Sequence, residues 1–380
     1  MPETAAKSSG KLQGLQVLRG VAALLVVWHH LKYSLGVSST EVSGIAVLAT
    51  NLGAIGVDIF FVVSGFVIAM TASRLGNDWR TFLASRLARI VPLYFTLSTF
   101  MLIRGVAAHL FLQGQGWPAF NSIFNSYFYI PLLDTTSFSS PLCGNGWTLS
   151  FEMWFYLGFC LCMSRAGGML SGRIFPALMV CGVILTTIFY SGQNWFLPKF
   201  LFHPLTLEFS AGCLLYHVRN WLGKFSFILM CLLAPVFLFF AGQHEQLGLH
   251  MEVLGSSTLG FERAGIWGGF AICLVGLVTQ LDLKNPFTWP KLPLLLGDAS
   301  YSIYLITPIV MTPTAVLVHS LRKFHLIHSV LQTELISGIF YVAGTLFGGV
   351  LLWKFFEFPA TQRAKQFLRR FTPKANEPTN

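Results

Sequence analysis

One arginine and a pair of histidines share an apolar stretch near the start of the chain, VLRGVAALLVVWHHLK at residues 17–32. Arg19 and His30 are 11 residues apart, about three turns and a rise of about 16 Å on an α-helix, so both fall on one face, whereas His29 points about 100° away. Ionisable groups inside a membrane are costly and usually functional. The spacing therefore predicts that a long, phosphate-bearing molecule can contact Arg19 with one end and His30 with the other. The alternative is that Arg19 is a topology anchor and both histidines line an interface.

Two acidic residues also lie in apolar surroundings. Asp58 belongs to GVDIFFVVSGFVI, where Gly56 and Gly65 predict close helix packing. Glu152 follows Trp147 in WTLSFEMWFY, and aromatic neighbours desolvate a carboxylate, which suits proton handling. For both acids the structural alternative is a buried polar pair with another helix.

A pair of arginines opens a third apolar segment, FLASRLARIVPLY. Arg86 and Arg89 are three residues apart and so share a helix face. Guanidinium forks suit phosphate and carboxylate groups, so together with Arg19 they predict an anion site. Simple anchoring at the membrane surface is the competing interpretation.

The elements that must position these side chains are membrane helices. Only 11% of the residues are charged and 54% are hydrophobic, whereas soluble domains carry about 25% charged residues. We therefore predict an all-α polytopic membrane protein of about ten transmembrane helices. The predicted segments are 15–35, 46–72, 90–112, 147–163, 174–190, 199–218, 225–241, 264–280, 295–319 and 330–355.

The distribution of basic residues predicts orientation. Most of the 25 Lys and Arg residues fall in alternate connecting segments, and the other side holds only Lys32, Arg104, Lys199, Arg263, Arg322 and Lys323. By the positive-inside rule both termini are cytosolic, and we expect a multi-pass protein of the inner cell membrane. Because these residues punctuate apolar segments, the net charge of +10 does not indicate nucleic-acid binding. No Cys or His spacing typical of a metal site is present, so no metal is expected.

We predict three regions: a disordered cytosolic tail (1–10), a transmembrane domain (11–359) and a basic amphipathic cytosolic tail (360–380). Pro359 predicts the end of the last membrane helix. The tail after it is typical of a helix on the membrane surface.

In this order the motifs resemble the membrane-bound acyltransferase-3 family, whose members O-acylate carbohydrates and some other acceptors. Arg19 and His30 match its RX10H pattern, GVDIFFVVSGFVI its second motif, and Arg86 and Arg89 its RXXR motif. WTLSFEMWFY, LGDASYSIYL and FEFP resemble its later blocks, so the likeness covers about residues 14–360. It is closest to the exopolysaccharide-type enzymes, with no SGNH hydrolase domain expected. Many members carry a His where this chain has Thr307, so no role is transferred to that position.

The resemblance implies transfer of an acyl group, acetyl or succinyl, from cytosolic acyl-CoA, with acetyl-CoA the first expectation. The acceptor would be a hydroxyl of an exopolysaccharide or its lipid-linked precursor on the exoplasmic side. Arg19, Arg86 and Arg89 would bind the CoA phosphates, and His30 would act as a base or covalent carrier, with Asp58 or Glu152 orienting it. We expect Trp147 and Tyr304 to contact substrate. The alternative is a proton-coupled transporter or flippase of a lipid-linked saccharide, because buried His, Asp and Glu also serve proton coupling.

Overall fold

The computed structural model describes residues 12–34, 51–111, 117–131, 133–134, 137–190, 196–246, 257–284, 288–368 and 370. The predicted N-terminal tail, 1–10, lies outside the described residues, and the predicted C-terminal tail is described only to residue 370. The proposed division into three regions therefore stays a prediction.

The described chain is almost entirely helical, apart from two short antiparallel strands at Leu133–Asp134 and Ser137–Phe138. A 3-10 turn, Gly144–Gly146, leads into the fifth helix, and a π-helical turn, Trp353–Glu357, joins the last two. In chain order the helices are α1 (Gln13–Ser34), α2 (Ile55–Leu75), α3 (Trp79–Phe111), α4 (Phe120–Phe128), α5 (Trp147–Ala166), α6 (Gly168–Tyr190), α7 (Phe196–Leu201), α8 (Thr206–Val218), α9 (Lys224–Gln246), α10 (Ser257–Lys284), α11 (Lys291–Asp298), α12 (Ser300–Lys323), α13 (Val330–Leu352) and α14 (Phe358–Leu368).

Eight helical stretches of the described chain are long and apolar enough to cross a membrane. They are Gln13–Leu31, Ile55–Leu75, Trp79–Phe111, Gly168–Phe189, Lys224–Gln243, Gly260–Lys284, Ser300–Lys323 and Gln332–Leu368. Of the remaining predicted segments, 147–163 lies in α5, and 199–218 spans the two shorter helices α7 and α8. The prediction of an all-α polytopic membrane protein is confirmed, whereas the count of ten and the cytosolic termini stay predictions.

Glycines bring α2 close to two neighbouring helices. A Cβ atom added to Gly56 would lie 2.3 Å from the Ala22 carbonyl oxygen of α1. One added to Gly65 would lie 1.9 Å from the Phe209 carbonyl oxygen of α8. Only glycine permits backbones to approach this closely, as the small residues of the second motif predicted.

One end of the helix bundle is held together by polar contacts between turns, and we call it the inner end. The amide of Gly14 donates to Asp282 (2.8 Å), and the Gln16 side chain donates to Asp298 (2.7 Å). The turn after α2 and the turn after α5 interlock where the Gly168 amide donates to the Gly76 carbonyl (2.8 Å). The charge bias predicts that this end is cytosolic.

At the opposite, outer end, the described residues between 117 and 146 pack over the start of α5. Asn125 is buried and donates to the Ser139 carbonyl (2.6 Å), while Ser150 of α5 donates to the Asn125 side-chain oxygen (3.0 Å). The Ser126 hydroxyl accepts the Leu142 amide (2.8 Å). Because buried polar groups need partners, these bonds fix α4 against α5.

The prediction that the last helix ends at Pro359 is wrong. The chain remains helical from Val330 to Leu368, through the π-helical turn and into α14. Pro359 is the second residue of α14, where the proline ring is tolerated because the first turn of a helix needs few amide donors.

Candidate active site

A cavity opens between α1, α2, α3, α5 and α12, with about 740 Å³ of space not filled by protein atoms, including its opening. Apolar side chains of α2 form much of one wall, among them Phe60, Phe61 and Val67. The polar residues that line it are Arg19, Ser64, Arg86, Arg89, Thr148, Glu152, Tyr156, Tyr301 and Tyr304. A concave site with apolar walls and several convergent polar side chains is typical of small-molecule sites.

The three predicted anion-binding arginines all face this cavity, and none forms an ion pair with a carboxylate of the described residues. Arg19 donates to the Ser300 hydroxyl (3.1 Å) and to Gln16 (3.4 Å). Arg86 is 8% exposed, donates to the Thr71 hydroxyl, and has a buried Nε atom without a partner. A buried guanidinium without a counter-ion is unfavourable. The arrangement is therefore suited to an anionic ligand.

Arg89 is the most available of the three cations. It makes no hydrogen bond or ion pair within the described part of the chain. Glu357 interacts with it electrostatically, but that carboxylate accepts the Ser302 hydroxyl (2.6 Å) and is not paired with Arg89.

Glu152 is held in the cavity by one of its two oxygens. The hydroxyls of Ser64 (3.0 Å) and Tyr156 both donate to Oε1. No described residue donates to Oε2, which is not among the buried unpaired atoms and so is accessible. An oriented carboxylate with one accessible oxygen can accept a hydrogen bond or a proton from a bound molecule.

The two predicted substrate-binding aromatics differ in position. Tyr304 lines the cavity, and its hydroxyl is bonded to the Asn145 carbonyl and the Thr148 hydroxyl, both at 2.9 Å. Trp147 is not among the lining residues; its ring packs edge-on against Phe61, with ring centroids 6.4 Å apart. Both assignments stay predictions.

His30 lies on α1, as predicted, but is not among the residues that line the cavity. It is half-buried, and its Nδ1 lies 2.9 Å from the Val26 carbonyl oxygen. Because a carbonyl only accepts, Nδ1 carries the proton, and Nε2 of the neutral ring is the basic nitrogen. The Val26 carbonyl oxygen therefore occupies the position at Nδ1 that a carboxylate would take in a catalytic triad. Residues 35–50, which follow α1, lie outside the described residues.

Asp58 has a partner that the sequence did not predict. Arg263 of α10 donates to both carboxylate oxygens, from Nε at 3.0 Å and from Nη2 at 2.8 Å. Asp58 is fully buried and is not a lining residue of the cavity, and Glu208 of α8 lies against it. This position favours a structural role for Asp58, in which it holds α2, α8 and α10 together, over a catalytic role.

Sequence reasoning missed Ser64 and Tyr156 as partners of Glu152. Tyr156 is four residues after Glu152, a spacing that places both on one helix face and that was available as a signal. Ser64 gave no such signal, because it lies on another helix, 88 positions before Glu152 in the chain.

Cys143, in the outer segment, is not suited to carry an acyl group. Its thiol is buried and donates to the Leu305 carbonyl (3.5 Å), and burial raises the pKa of the Cys143 thiol to about 12. The reactive thiolate is therefore scarce at neutral pH. Among the described residues, no three His, Cys, Asp or Glu side chains are grouped to hold a metal ion; the expectation of a metal-free site stays a prediction.

The described residues thus form a polytopic helical bundle whose cavity is lined by three arginines, which make no ion pair with a described carboxylate, and by one oriented glutamate. The chain matches the family model described as "Acyltransferase domain" over residues 12–354, and it therefore belongs to the acyltransferase-3 family and is an acyltransferase.

Relatives with assigned names include two that are named as acyltransferases. The chain is 30% identical over 268 residues to the "Exopolysaccharide production protein ExoZ" of Rhizobium meliloti (strain 1021), covering 67% of this chain and 75% of that one. YrhL of Bacillus subtilis (strain 168), named as a candidate peptidoglycan O-acetyltransferase, is 28% identical over 206 residues, 47% of this chain and 28% of its own. "Acyltransferase MdmB" of Streptomyces mycarofaciens is 32% identical over 158 residues, 40% of this chain and 39% of its own. The chain thus spans less than half of the last two relatives. No solved structure matches it.

Proposed function

We propose that this protein transfers an acyl group, acetyl or succinyl, from cytosolic acyl-CoA to a carbohydrate hydroxyl on the exoplasmic side of the inner membrane. The observation that carries the proposal is the set of three guanidinium groups, Arg19, Arg86 and Arg89, that face one cavity and form no ion pair with a carboxylate of the described residues. The names of ExoZ and YrhL support an exopolysaccharide or related glycan, free or lipid-linked, as the acceptor.

Phosphate recognition follows from the chemistry of these side chains. Arginine forms charge-assisted, often bidentate hydrogen bonds with phosphate oxygens. Arg86, buried and stacked near the rings of Phe82 and Tyr156, gains most from a counter-ion because little water solvates its charge. With the phosphates bound at the inner end, the pantetheine arm extends toward the outer part of the bundle.

The transfer requires one base and one leaving thiolate. We assign His30 Nε2 to take the proton of the acceptor hydroxyl as its oxygen forms a bond to the thioester carbonyl carbon. The carbon–sulfur bond then breaks, and the CoA thiolate leaves with the proton that His30 Nε2 had taken up. Glu152 Oε2 binds the substrate, and Asp58 supports the helices. The alternative is that His30 itself carries the acyl group as a covalent acyl-histidine. Mass spectrometry of protein incubated with acyl-CoA and no acceptor distinguishes these two mechanisms.

Thermal denaturation of the purified protein in detergent tests donor recognition. Acetyl-CoA and succinyl-CoA should raise the melting temperature, since a ligand at 100 times its Kd stabilises by about 2.7 kcal/mol. Dephospho-CoA, which lacks one phosphate, should shift it less. Arg86→Gln and Arg89→Gln should each weaken binding by about 10- to 150-fold, because hydrogen bonds to charged groups contribute about 1.5–3 kcal/mol.

Arg80→Gln is the matched control, because Arg80 is exposed on the same helix and stacks on Trp79 outside the cavity. If acyl-CoA raised the melting temperature of Arg86→Gln and Arg89→Gln as much as that of the wild type, the proposal would be contradicted. In cells, mass spectrometry of surface polysaccharide should reveal an ester that is lost with the gene and with His30→Ala. An unchanged ester content would contradict the assigned acceptor class.

A further inference from the structure

The polarity of α4 is the reverse of that of a helix on a protein surface in water. Asn125 and Ser126 are fully buried and form hydrogen bonds with the chain that follows. Phe120 and Phe128 are 70% and 62% exposed, and the ring of Phe124 lies between theirs, with centroid distances of 6.0 and 4.6 Å. These three phenylalanines form what we call the aromatic face of α4. An exposed apolar face of this kind marks contact with a partner or with a membrane.

α4 runs antiparallel to α3 and follows it toward the interior of the bundle. At the start of this path, a Cβ atom added to Gly105 would lie 2.9 Å from Pro118 Cγ. At its end, the ring centroids of Tyr129 and Tyr94 are 5.3 Å apart. The two contacts are 11 residues apart on α3, a rise of about 16 Å.

Arg104 indicates the depth at which this path begins. It is exposed on α3, next to Gly105, and donates to the Thr312 hydroxyl of α12. An arginine on the surface of a membrane helix is stable where its guanidinium reaches water or lipid headgroups. We therefore place the outer boundary of the hydrocarbon at this turn of α3, a helix long and apolar enough to span. Half of a hydrocarbon core is about 15 Å thick, so Tyr129 lies near the middle of the bilayer.

The sequence around α4 lacks the charges of a loop in water. Between Arg104 and Glu152 lie 47 residues, and Asp134 is the only Asp, Glu, Lys or Arg among them. A soluble stretch of that length would carry about 12 charged residues, at about 25%. This composition is compatible with the bilayer interior, although the positions between the predicted spans suggested a connecting loop.

The chain returns from this depth as irregular backbone that protein covers. Asn145 is 5% exposed, and its side chain donates to the Tyr304 carbonyl (2.7 Å). A Cβ atom added to Gly146 would lie 2.5 Å from the hydroxyl of Tyr94, the residue that also contacts Tyr129. Irregular backbone at membrane depth is tolerated where it is buried in protein. Because Tyr304 lines the cavity, this returning segment supports the cavity wall.

We propose that α4 re-enters the outer leaflet and that its aromatic face binds the acyl chains of bilayer lipids. The lipid-facing surface of α3 continues onto α4: the Thr99 and Tyr127 hydroxyls are hydrogen-bonded (2.8 Å), and Ile103, one turn beyond Thr99, is exposed. A carbohydrate surface would need hydrogen-bonding groups around the rings, whereas the aromatic face consists of phenylalanine. This lipid contact is independent of the acyl-transfer reaction.

Two labels applied to full-length protein in liposomes distinguish lipid from water at these rings. A carbene generated by light in the bilayer marks side chains in hydrocarbon, hydroxyl radicals generated in water mark side chains in solvent, and peptide mass spectrometry detects both. We expect Phe124 and Phe128 to carry as much carbene label as Phe239, an exposed residue of the spanning helix α9. Phe324 is the matched control for water, because it is 69% exposed in the turn after α12, next to Lys323. Phe128 should lose hydroxyl-radical oxidation relative to Phe324.

Lysine substitutions test the depth of α4 separately. Phe128→Lys should lower the melting temperature in detergent, because an ammonium near the centre of the hydrocarbon is costly. Phe120→Lys, close to the outer boundary, should lower it less, and Phe324→Lys should leave it unchanged. Equal effects of Phe120→Lys and Phe128→Lys would contradict the proposed descent of α4.

Two labelling results would overturn the proposal. Oxidation of Phe124 and Phe128 at the level of Phe324, without carbene label, would place the aromatic face in water. Absence of both labels from these rings would show that protein covers them, and because the liposomes contain this chain alone, the occupant would be a second copy instead of lipid.

Discussion

Replacing Asp58 by Asn tests whether its buried ion pair with Arg263 is structural or catalytic. The substitution preserves the shape of the side chain but removes the negative charge to which the guanidinium of Arg263, 7% exposed, donates two hydrogen bonds. Removing one member of a buried pair typically costs about 3–5 kcal/mol. Glu208 lies against Asp58 and provides a second carboxyl group near Arg263. We therefore expect the free energy of unfolding to fall by the lower end of this range, about 3 kcal/mol.

The measurement is the free energy of unfolding by SDS titration in mixed micelles, with acyl transfer assayed at a temperature where every variant is folded. Asp58→Asn combined with Arg263→Gln removes both charges and should recover at least half of the lost stability, and each folded variant should retain transfer. Asp78→Asn is a control of the same chemistry on a half-exposed residue, whose carboxylate accepts the Thr81 amide (3.0 Å); it should cost about 1 kcal/mol or less. A double variant that is stable but inactive would refute the structural role.

Three further predictions concern single residues. Gly65→Ala should reduce folded yield severely, because the new Cβ would lie 1.9 Å from the Phe209 carbonyl oxygen; a wild-type elution profile in size-exclusion chromatography would contradict this. Glu208→Gln should retain stability in SDS titration while Glu208→Ala should not, because Glu208 is fully buried and glutamine fills the same space, whereas alanine leaves a cavity; equal losses would contradict this. Cys143→Ala should retain transfer. Cys143 of the native protein should resist N-ethylmaleimide at pH 8, because burial raises the pKa of the thiol to about 12. Rapid labelling of Cys143, detected by mass spectrometry, would contradict this.

Local periodicity predicted most of the fold. The apolar stretch around Arg19 and His30 is one continuous helix, and Arg86 and Arg89 lie on one helix as their spacing required. Helix ends were harder to predict. Pro359 was interpreted as a stop signal, yet the π-helical turn before it supplies a different backbone pitch that accommodates the ring. Such a turn depends on packing rather than on local propensity.

The candidate site was predicted in part. Arg19, Arg86, Arg89 and Glu152 do face one cavity, although that does not test their roles. The Asp58–Arg263 pair could not be predicted from the sequence pattern, because 205 positions separate the two residues. Arg263 was also grouped with the few basic residues of the outer connecting segments. The path of α4 along α3 was not predicted either, because the contacts that define it exist only in the folded chain.

The uncompensated charge of Arg86 has a practical consequence for handling the protein. A guanidinium that is 8% exposed and has no carboxylate within ion-pair range among the described residues can bind a small anion from the buffer, so we expect the stability of the protein to vary with that anion. Sulfate, phosphate, citrate or acetate would compete with the phosphates of the donor and make the measured affinities too weak, so a chloride salt at low concentration is the sounder choice.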